Sequence, residues 1–113
     1  MFRLAKHSWK DYTKFMKFVW DKNKNRANVE KHGLDFADAH KVFESPMLVK
    51  LDDRKDYGEN RWIGIGLMDM RVVLIVFTEL KDENTIRVIS FRKATSDERK
   101  RYEQTYKDEF GTF

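Results

Sequence analysis

The stretch "RVVLIVFTE", Arg71–Glu79, decides the fold, because its six central residues are apolar without interruption. A strand with one solvated face alternates apolar and polar residues, whereas a continuous apolar run is typical of a strand covered on both faces. We therefore predict that residues 72–77 form the central strand of a sheet with packed layers on both sides.

Three further segments have the composition of strands, namely residues 47–51, 61–67 and 85–92, and residues 18–20 are a shorter candidate. The segments on either side of the central strand are joined to it by only three and five residues, which is too short for a crossover. The sequence therefore predicts an antiparallel sheet of about four strands.

Capping residues define the helices that flank these strands. Asp21 is a suitable N-cap for a helix over residues 22–32, and Gly33 suits the left-handed position that follows. Asp35 is a suitable N-cap for a second helix over residues 36–44, with Asp38 at the capping-box position. Thr95 and Glu98 have the spacing of a capping box at the start of a C-terminal helix. The predicted class is α+β: two N-terminal helices, the antiparallel sheet and a C-terminal helix.

Length and composition limit the functional classes. The 113 residues predict one domain, and the absence of cysteine excludes disulfides and thiolate metal sites. No apolar run reaches the roughly 18 residues of a membrane span, so we expect a cytoplasmic protein with no membrane partner. His32 and His40 are not spaced as a helix-borne zinc pair, and we expect no metal site.

Positive charge is concentrated at one end of the chain. Residues 1–17 contain five basic residues and one acidic residue, interleaved with aromatic residues, and so hold the whole net charge of +4. This composition suits a nucleic-acid backbone or an acidic partner. We interpret residues 1–17 as a basic and aromatic extension, a short helix or an arm, and residues 18–113 as the principal domain.

Four ordered motifs carry a resemblance to a known family. They are "FVWDKNKNRANVEKHGLDFADAHKVF", "GENRWIGIG", "VLIVFTE" and "IRVISFRKATSDERKRYE", and together they extend from Phe18 to Glu103. In this order they resemble the BrnT family, the toxins of bacterial type II toxin–antitoxin pairs.

The resemblance implies a RelE-like fold and a ribonuclease that arrests translation. It implies neutralisation by a BrnA-like antitoxin, which would connect the complex to operator DNA, in an assembly that could be a heterotetramer or a homo-oligomer. It implies no metal ion or organic cofactor. The alternative is a non-catalytic module of the same fold that binds nucleic acid or the antitoxin.

Cleavage of RNA without a metal requires a base, cations around the phosphate and an acid. Within the family motifs, we predict that His32 transfers a proton, Arg92 holds the scissile phosphate and Trp62 stacks on a base. We expect these three residues to line one groove. The predicted RNA-binding residues are Lys31, Arg61, Arg87 and Lys93, and the other candidates are Glu59, Glu79 and Ser90.

Strand alternation assigns several of these side chains to faces. Arg61 and Trp62 should point apart, and Trp62 should share its face with two glycines, Gly64 and Gly66. On the last strand Ile86, Val88, Ser90 and Arg92 should share one face.

Each assignment has a structural alternative. His32 can simply belong to a helix end, where cations suit the helix dipole. Trp62 can be a core residue. The space beside its two glycines can admit a nucleotide or a packed helix. Arg87 can pair with Glu79 across the hairpin.

Overall fold

The computed structural model describes residues 2–5, 15–81 and 84–112, and this part of the chain contains three helices and one six-stranded sheet. In chain order the elements are β1 (Arg3–Leu4), β2 (Lys17–Val19), α1 (Lys22–His32), a 3-10 helix (Phe36–Glu44), β3 (Leu48–Leu51), β4 (Trp62–Met68), β5 (Arg71–Glu79), β6 (Thr85–Lys93) and α2 (Ser96–Phe110). The strand order is β1-β3-β4-β5-β6-β2, and only β2 runs parallel to its neighbour. The predicted α+β class is confirmed. The short candidate strand at residues 18–20 corresponds to β2, and β1 is a further edge strand that was not predicted.

Strand β5 is central, as its apolar run predicts. Its residues 72–78 are all buried, and β4 and β6 flank it. Val73, Ile75 and Phe77 pack beneath the 3-10 helix, on what we call the 3-10 face. The side chains between them pack beneath α2, on the α2 face. The two apolar sets of one strand therefore fill two separate cores.

The second predicted helix is a 3-10 helix, and it covers the 3-10 face with Phe36, Ala39, Val42 and Phe43. Asp35 caps it by accepting a hydrogen bond from the Ala37 amide at 2.9 Å. The predicted capping box is wrong, because the Asp38 carboxylate lies 3.7 Å from Lys41 Nζ instead of closing onto the cap.

Gly64 and Gly66 let this layer approach the sheet closely. A Cβ atom at Gly66 would lie 2.8 Å from Val42 Cγ1, and one at Gly64 would collide with the Met47 side chain. The space beside Trp62 on this strand is therefore filled by packed side chains, and the nucleotide alternative is excluded there.

Helix α1 is almost entirely polar and is held by one buried side chain. The Asn28 amide donates to the carbonyl oxygens of Phe91 at 2.7 Å and Leu34 at 3.0 Å, and its oxygen accepts from the Phe91 amide at 3.1 Å. The Asn28 side chain thus satisfies the amide and carbonyl groups of Phe91 on β6, which lie beyond the last residue of β6 that β2 pairs with. The predicted caps are confirmed, with Asp21 at the start and Gly33 at φ 73° at the end.

Helix α2 begins with the predicted capping box of Thr95 and Glu98. Its buried residue Tyr102 donates a hydrogen bond to the Pro46 carbonyl oxygen at 2.7 Å and packs on the α2 face. Burial raises the pKa of the Tyr102 hydroxyl to about 12.

The N-terminal residues that the structure describes join the edges of the sheet. β1 pairs with β3, and Lys17 begins β2 beside Thr85. Residues 6–14, where a short helix or arm is predicted, lie outside the described residues. The division into an extension and a principal domain stays a prediction.

A β-bulge interrupts the alternation of β6. Val76 pairs with Ser90 and Phe77 pairs with Val88, so Ile89 has no partner of its own on β5. Residues after the bulge lie on the face opposite to the one that strict alternation predicts.

Candidate active site

A cleft of about 630 Å³ lies where β4 begins and β5 ends. Its lining residues are Glu59, Asn60, Trp62, Thr78, Glu79, Leu80 and Lys81. The half-buried Trp62 indole forms part of the wall and also packs against the core of the 3-10 face. A base could therefore stack on an aromatic surface that the core holds in place.

Two arginines converge on the Glu59 carboxylate at this cleft. Arg61 Nε donates to Glu59 Oε2 at 3.0 Å, and Arg87 Nη2 donates to the same oxygen. Arg61 directly precedes β4, and Arg87 lies on β6, where it pairs with Thr78 of β5. The hydrogen bond from Arg61, with the charge of Arg87, holds the pKa of Glu59 below its usual value. Glu59 is therefore ionised at neutral pH.

The loop between β3 and β4 holds Arg61 of this cluster in place through Asp52 and Tyr57. The Asp52 carboxylate is 1% exposed and accepts from Arg54 Nε at 2.8 Å, from Arg54 Nη2 at 2.7 Å and from the Tyr57 hydroxyl at 3.1 Å. The Arg61 guanidinium carbon then lies 4.2 Å from the centre of the Tyr57 ring, a cation–π contact. The buried carboxylate thus fixes the ring on which Arg61 rests.

Arg87 forms its ion pair with Glu59, and not with Glu79 across the hairpin as the structural alternative predicted. Glu79 pairs in register with Ile86, on the 3-10 face, whereas Arg87 pairs with Thr78. The guanidinium therefore turns away from Glu79 and reaches Glu59, which precedes β4. The expectation that Arg61 and Trp62 point apart fits their contacts, with Arg61 on Tyr57 and Trp62 in the core.

The single groove predicted for Arg92, Trp62 and His32 is wrong. Arg92 pairs with Leu74 on the α2 face, whereas Trp62 pairs with Phe77 on the 3-10 face. The bulge at Ile89 is the physical reason, since it reverses the side of the sheet on which Arg92 lies. The catalytic roles assigned to these residues stay predictions.

The remaining predicted residues lie away from Glu59. Lys31 is exposed and His32 half-buried in the last turn of α1, and within the described residues neither forms an ion pair or a side-chain hydrogen bond. Lys93 is exposed at the far end of β6. The structure therefore brings Arg61 and Arg87 together on Glu59, which lines the same cleft as Trp62, and leaves the other four predicted residues away from it.

Sequence reasoning missed Asp52 and Tyr57, because "DDRKDYGEN" reads as a solvated loop. A local signal was present: Asp52 accepts from the amide two residues on, at 3.3 Å, as aspartate commonly does in turns. The contact of Glu59 with Arg87 spans 28 residues, and no local pattern encodes it.

Within the described residues, no group of three or more His, Cys, Asp or Glu side chains is placed to hold a metal ion. No helix in the same part of the chain has both the length and the apolarity to cross a membrane.

Comparison with known families places the chain beside a described toxin family. A family model described as "Ribonuclease toxin, BrnT, of type II toxin-antitoxin system" matches residues 20–98. The matched segment contains the Glu59 cluster, both of its arginines and the cleft. A search of curated proteins found no match.

Proposed function

The chain belongs to the BrnT family of ribonuclease toxins of type II toxin–antitoxin systems, and we propose from this premise that it cuts RNA beside Glu59. The observation that carries the proposal is the convergence of Arg61 and Arg87 on one carboxylate oxygen at the cleft. A carboxylate and a phosphate offer the same anionic oxygens to a guanidinium. In the free protein Glu59 therefore occupies the place that a scissile phosphate would take.

Substrate binding would then activate the cluster. A phosphate that takes the hydrogen bonds of Arg61 and Arg87 leaves Glu59 without the contacts that lower its pKa. The released carboxylate becomes a stronger base and can take the proton of the ribose 2′-hydroxyl. The 2′-oxygen then bonds to phosphorus as the bond to the 5′-oxygen breaks, and the leaving 5′-oxygen takes a proton from water. The two guanidinium groups stabilise the charge that develops on the phosphate oxygens, so this part of the reaction requires no metal ion.

Trp62 would position the substrate. Its indole lines the same cleft as Glu59, and stacking on a tryptophan holds an unpaired base with little dependence on sequence. We propose that the base next to the scissile phosphate stacks there. Tyr57 is a positioning residue, because its ring supports Arg61.

Cleavage of cellular RNA would arrest translation, and we propose that a BrnA-like antitoxin neutralises this activity. Membership of a type II toxin–antitoxin family implies an antitoxin partner. Operator DNA would be bound through that antitoxin, because residues 18–113 hold 18 basic and 18 acidic residues and so have no net charge to attract a duplex.

The test is the cleavage of a plain RNA in the presence of EDTA by purified protein. Glu59→Gln keeps the size of the side chain but removes its basicity, so the rate should fall about a hundredfold or more. Arg61→Lys keeps the charge but loses the planar fork and should also slow cleavage. Glu44→Gln, at an exposed glutamate of the 3-10 helix, is the matched control.

Two results would overturn the assignment. One is a Glu59→Gln variant that cuts RNA as fast as the Glu44→Gln control. The other is growth arrest by Glu59→Gln that equals that of the unmodified protein, which would favour the non-catalytic binding module.

A further inference from the structure

A second cleft lies at the opposite end of the sheet, and its volume is about 350 Å³. Its lining residues are Met70, Arg71, Val72, Lys93, Ala94, Arg99 and Glu103. Three cations face one carboxylate there, so the cleft is net positive. It is formed by the turn between β4 and β5, the end of β6 and the first turn of α2.

The three cations are free to bind an external anion. Arg71, Lys93 and Arg99 are exposed, and within the described ranges none of them forms an ion pair with a carboxylate. Arg61 and Arg92, in contrast, each bind a glutamate of their own. Uncompensated cations in a concave site concentrate the local positive potential.

A half-exposed strip of β6 connects the two clefts. Helix α2 packs against β4 and β5, which leaves the α2 face of β6 partly open. Arg87, Ile89, Ser90 and Arg92 are all half-exposed along this strip. The strip therefore begins at the Glu59 cluster and ends at Arg92, one residue before Lys93, which pairs with Val73 and lines the second cleft at the edge of the sheet.

We propose that the cleft lined by Arg71, Lys93 and Arg99 is a second RNA-binding site, which holds a backbone phosphate of the strand that is cut beside Glu59. The inference rests on the proposed function. The first cleft is lined by Glu79 and the second by Arg71, at the two ends of β5. Arg71 and Glu79 are the first and last of the nine residues of β5, so about 25 Å separates the two clefts and only an RNA of several nucleotides can reach both.

The position of the second cleft favours RNA over an acidic protein segment. Its arginines match the oxygens of a phosphate and of a carboxylate equally well, so the choice of ligand rests on the alignment of the two clefts. The half-exposed strip of β6 runs from the proposed cleavage site toward the second cleft, and the substrate of a ribonuclease is a polyanion that can follow it. An acidic peptide would need no such alignment between the clefts.

The binding experiment uses RNA in which every 2′-oxygen is methylated, so that the attacking group is blocked and no cleavage occurs. The affinity of an oligonucleotide of about twelve residues is measured against salt concentration. Each phosphate contact to a single strand adds about 0.7 to the slope of log K against log salt, so Arg71→Gln with Arg99→Gln should lower the slope by about 1.4. The matched control is Lys24→Gln with Arg26→Gln, which removes the same charge from exposed positions of α1.

Substrate length gives the second measurement. In the unmodified protein the longer RNA should be cut more efficiently than a dinucleotide, because only the longer strand reaches both clefts. The double variant at Arg71 and Arg99 should lose most of that advantage.

An equal loss in the α1 control would overturn the inference. Binding of poly-glutamate that matches RNA in affinity and in sensitivity to the two substitutions would also overturn it. If the unmodified protein cuts RNA but length has no effect, the second site is wrong and the cleavage site stands; if it cuts no RNA, the proposed function itself fails.

Discussion

Arg92 and Glu98 join the last strand to the last helix through two parallel hydrogen bonds. Arg92 Nη1 donates to Glu98 Oε1 at 2.8 Å, and Nη2 donates to Oε2 at 3.0 Å. The same carboxylate accepts from the Thr95 amide at 2.8 Å and so closes the capping box of α2. The hydrogen bond from Arg92 lowers the pKa of Glu98. One ion pair therefore fixes both the start of α2 and its position on β6.

We predict that Arg92→Ala destabilises the fold whatever it does to activity. Both side chains are about two-thirds buried or more, and the paired, charge-assisted geometry should contribute about 1–2 kcal/mol to the free energy of unfolding. A double-mutant cycle with Glu98→Ala, followed by urea unfolding, measures this coupling. Lys100→Ala, at an exposed neighbouring lysine, is the control. A coupling energy indistinguishable from zero would contradict the prediction.

The same residue shows where prediction from sequence stops. The capping residues are local signals, and Asp21, Gly33 and Thr95 were all predicted correctly because a cap depends on a few adjacent positions. The bulge at Ile89 depends on how β6 meets β5, and no glycine or proline marks it. One extra residue reverses every side chain that follows it, so the predicted groove failed at Arg92 although the strand itself was located correctly.

Trp62 provides a test of base stacking at the cleft. Trp62→Leu should weaken the binding of methylated RNA by about tenfold, since the aromatic face is lost, whereas Trp62→Phe should retain part of the affinity. Filter binding or fluorescence anisotropy measures the difference. The control is Trp20→Leu, at a half-buried tryptophan that packs on the same core but does not line the cleft. Equal losses at the two tryptophans would mean that Trp62 acts only through packing.

Gly66 tests how tightly the 3-10 helix is seated on the sheet. Its missing side chain leaves room for Val42, whose Cγ1 would lie 2.8 Å from an added Cβ, and for Ser45 Oγ, which would lie 3.1 Å away. Ser45 Oγ also accepts from the Leu67 amide at 3.0 Å, so it cannot move without losing that bond. Gly66→Ala should therefore lower the free energy of unfolding by about 1–3 kcal/mol.

The comparison for that variant is Gly64→Ala. There the added methyl group meets the side chain of Met47, which is long and flexible and can shift to another rotamer. Thermal unfolding should show a smaller loss for Gly64→Ala than for Gly66→Ala. The reverse order would place the rigid contact at Met47 instead.

The loop from Asp52 to Asn60 shows a different limit. Its composition predicted a solvated loop, and most of its residues are exposed. The contacts that link Asp52, Tyr57, Arg61 and Glu59 were not predicted. Glu59 also binds Arg87 of β6, and the local sequence does not indicate that contact. The family motifs supplied the residue types of the proposed site, whereas the proposal of Glu59 as its centre required the tertiary structure.

Asp52 makes that loop sensitive to acid. Its hydrogen bond from Arg54 lowers the pKa of the buried carboxylate from 3.8 to about 2, so the unfolded chain takes up the proton more readily than the folded one. The stabilisation is therefore complete above about pH 4 and is lost as the pH falls toward 2. Its upper limit at neutral pH is about 2 kcal/mol, and solvent screening of the 69% exposed Arg54 side chain reduces it.

Asp52→Asn should destabilise the protein at about pH 7, and the gap in free energy of unfolding between the variant and the unmodified protein should narrow steadily below about pH 4. Urea unfolding across this range measures the gap, with Asp53→Asn, at the exposed neighbour, as the control. A gap that stays constant down to about pH 2.5 would show that the loop depends on the shape of Asp52 and not on its charge.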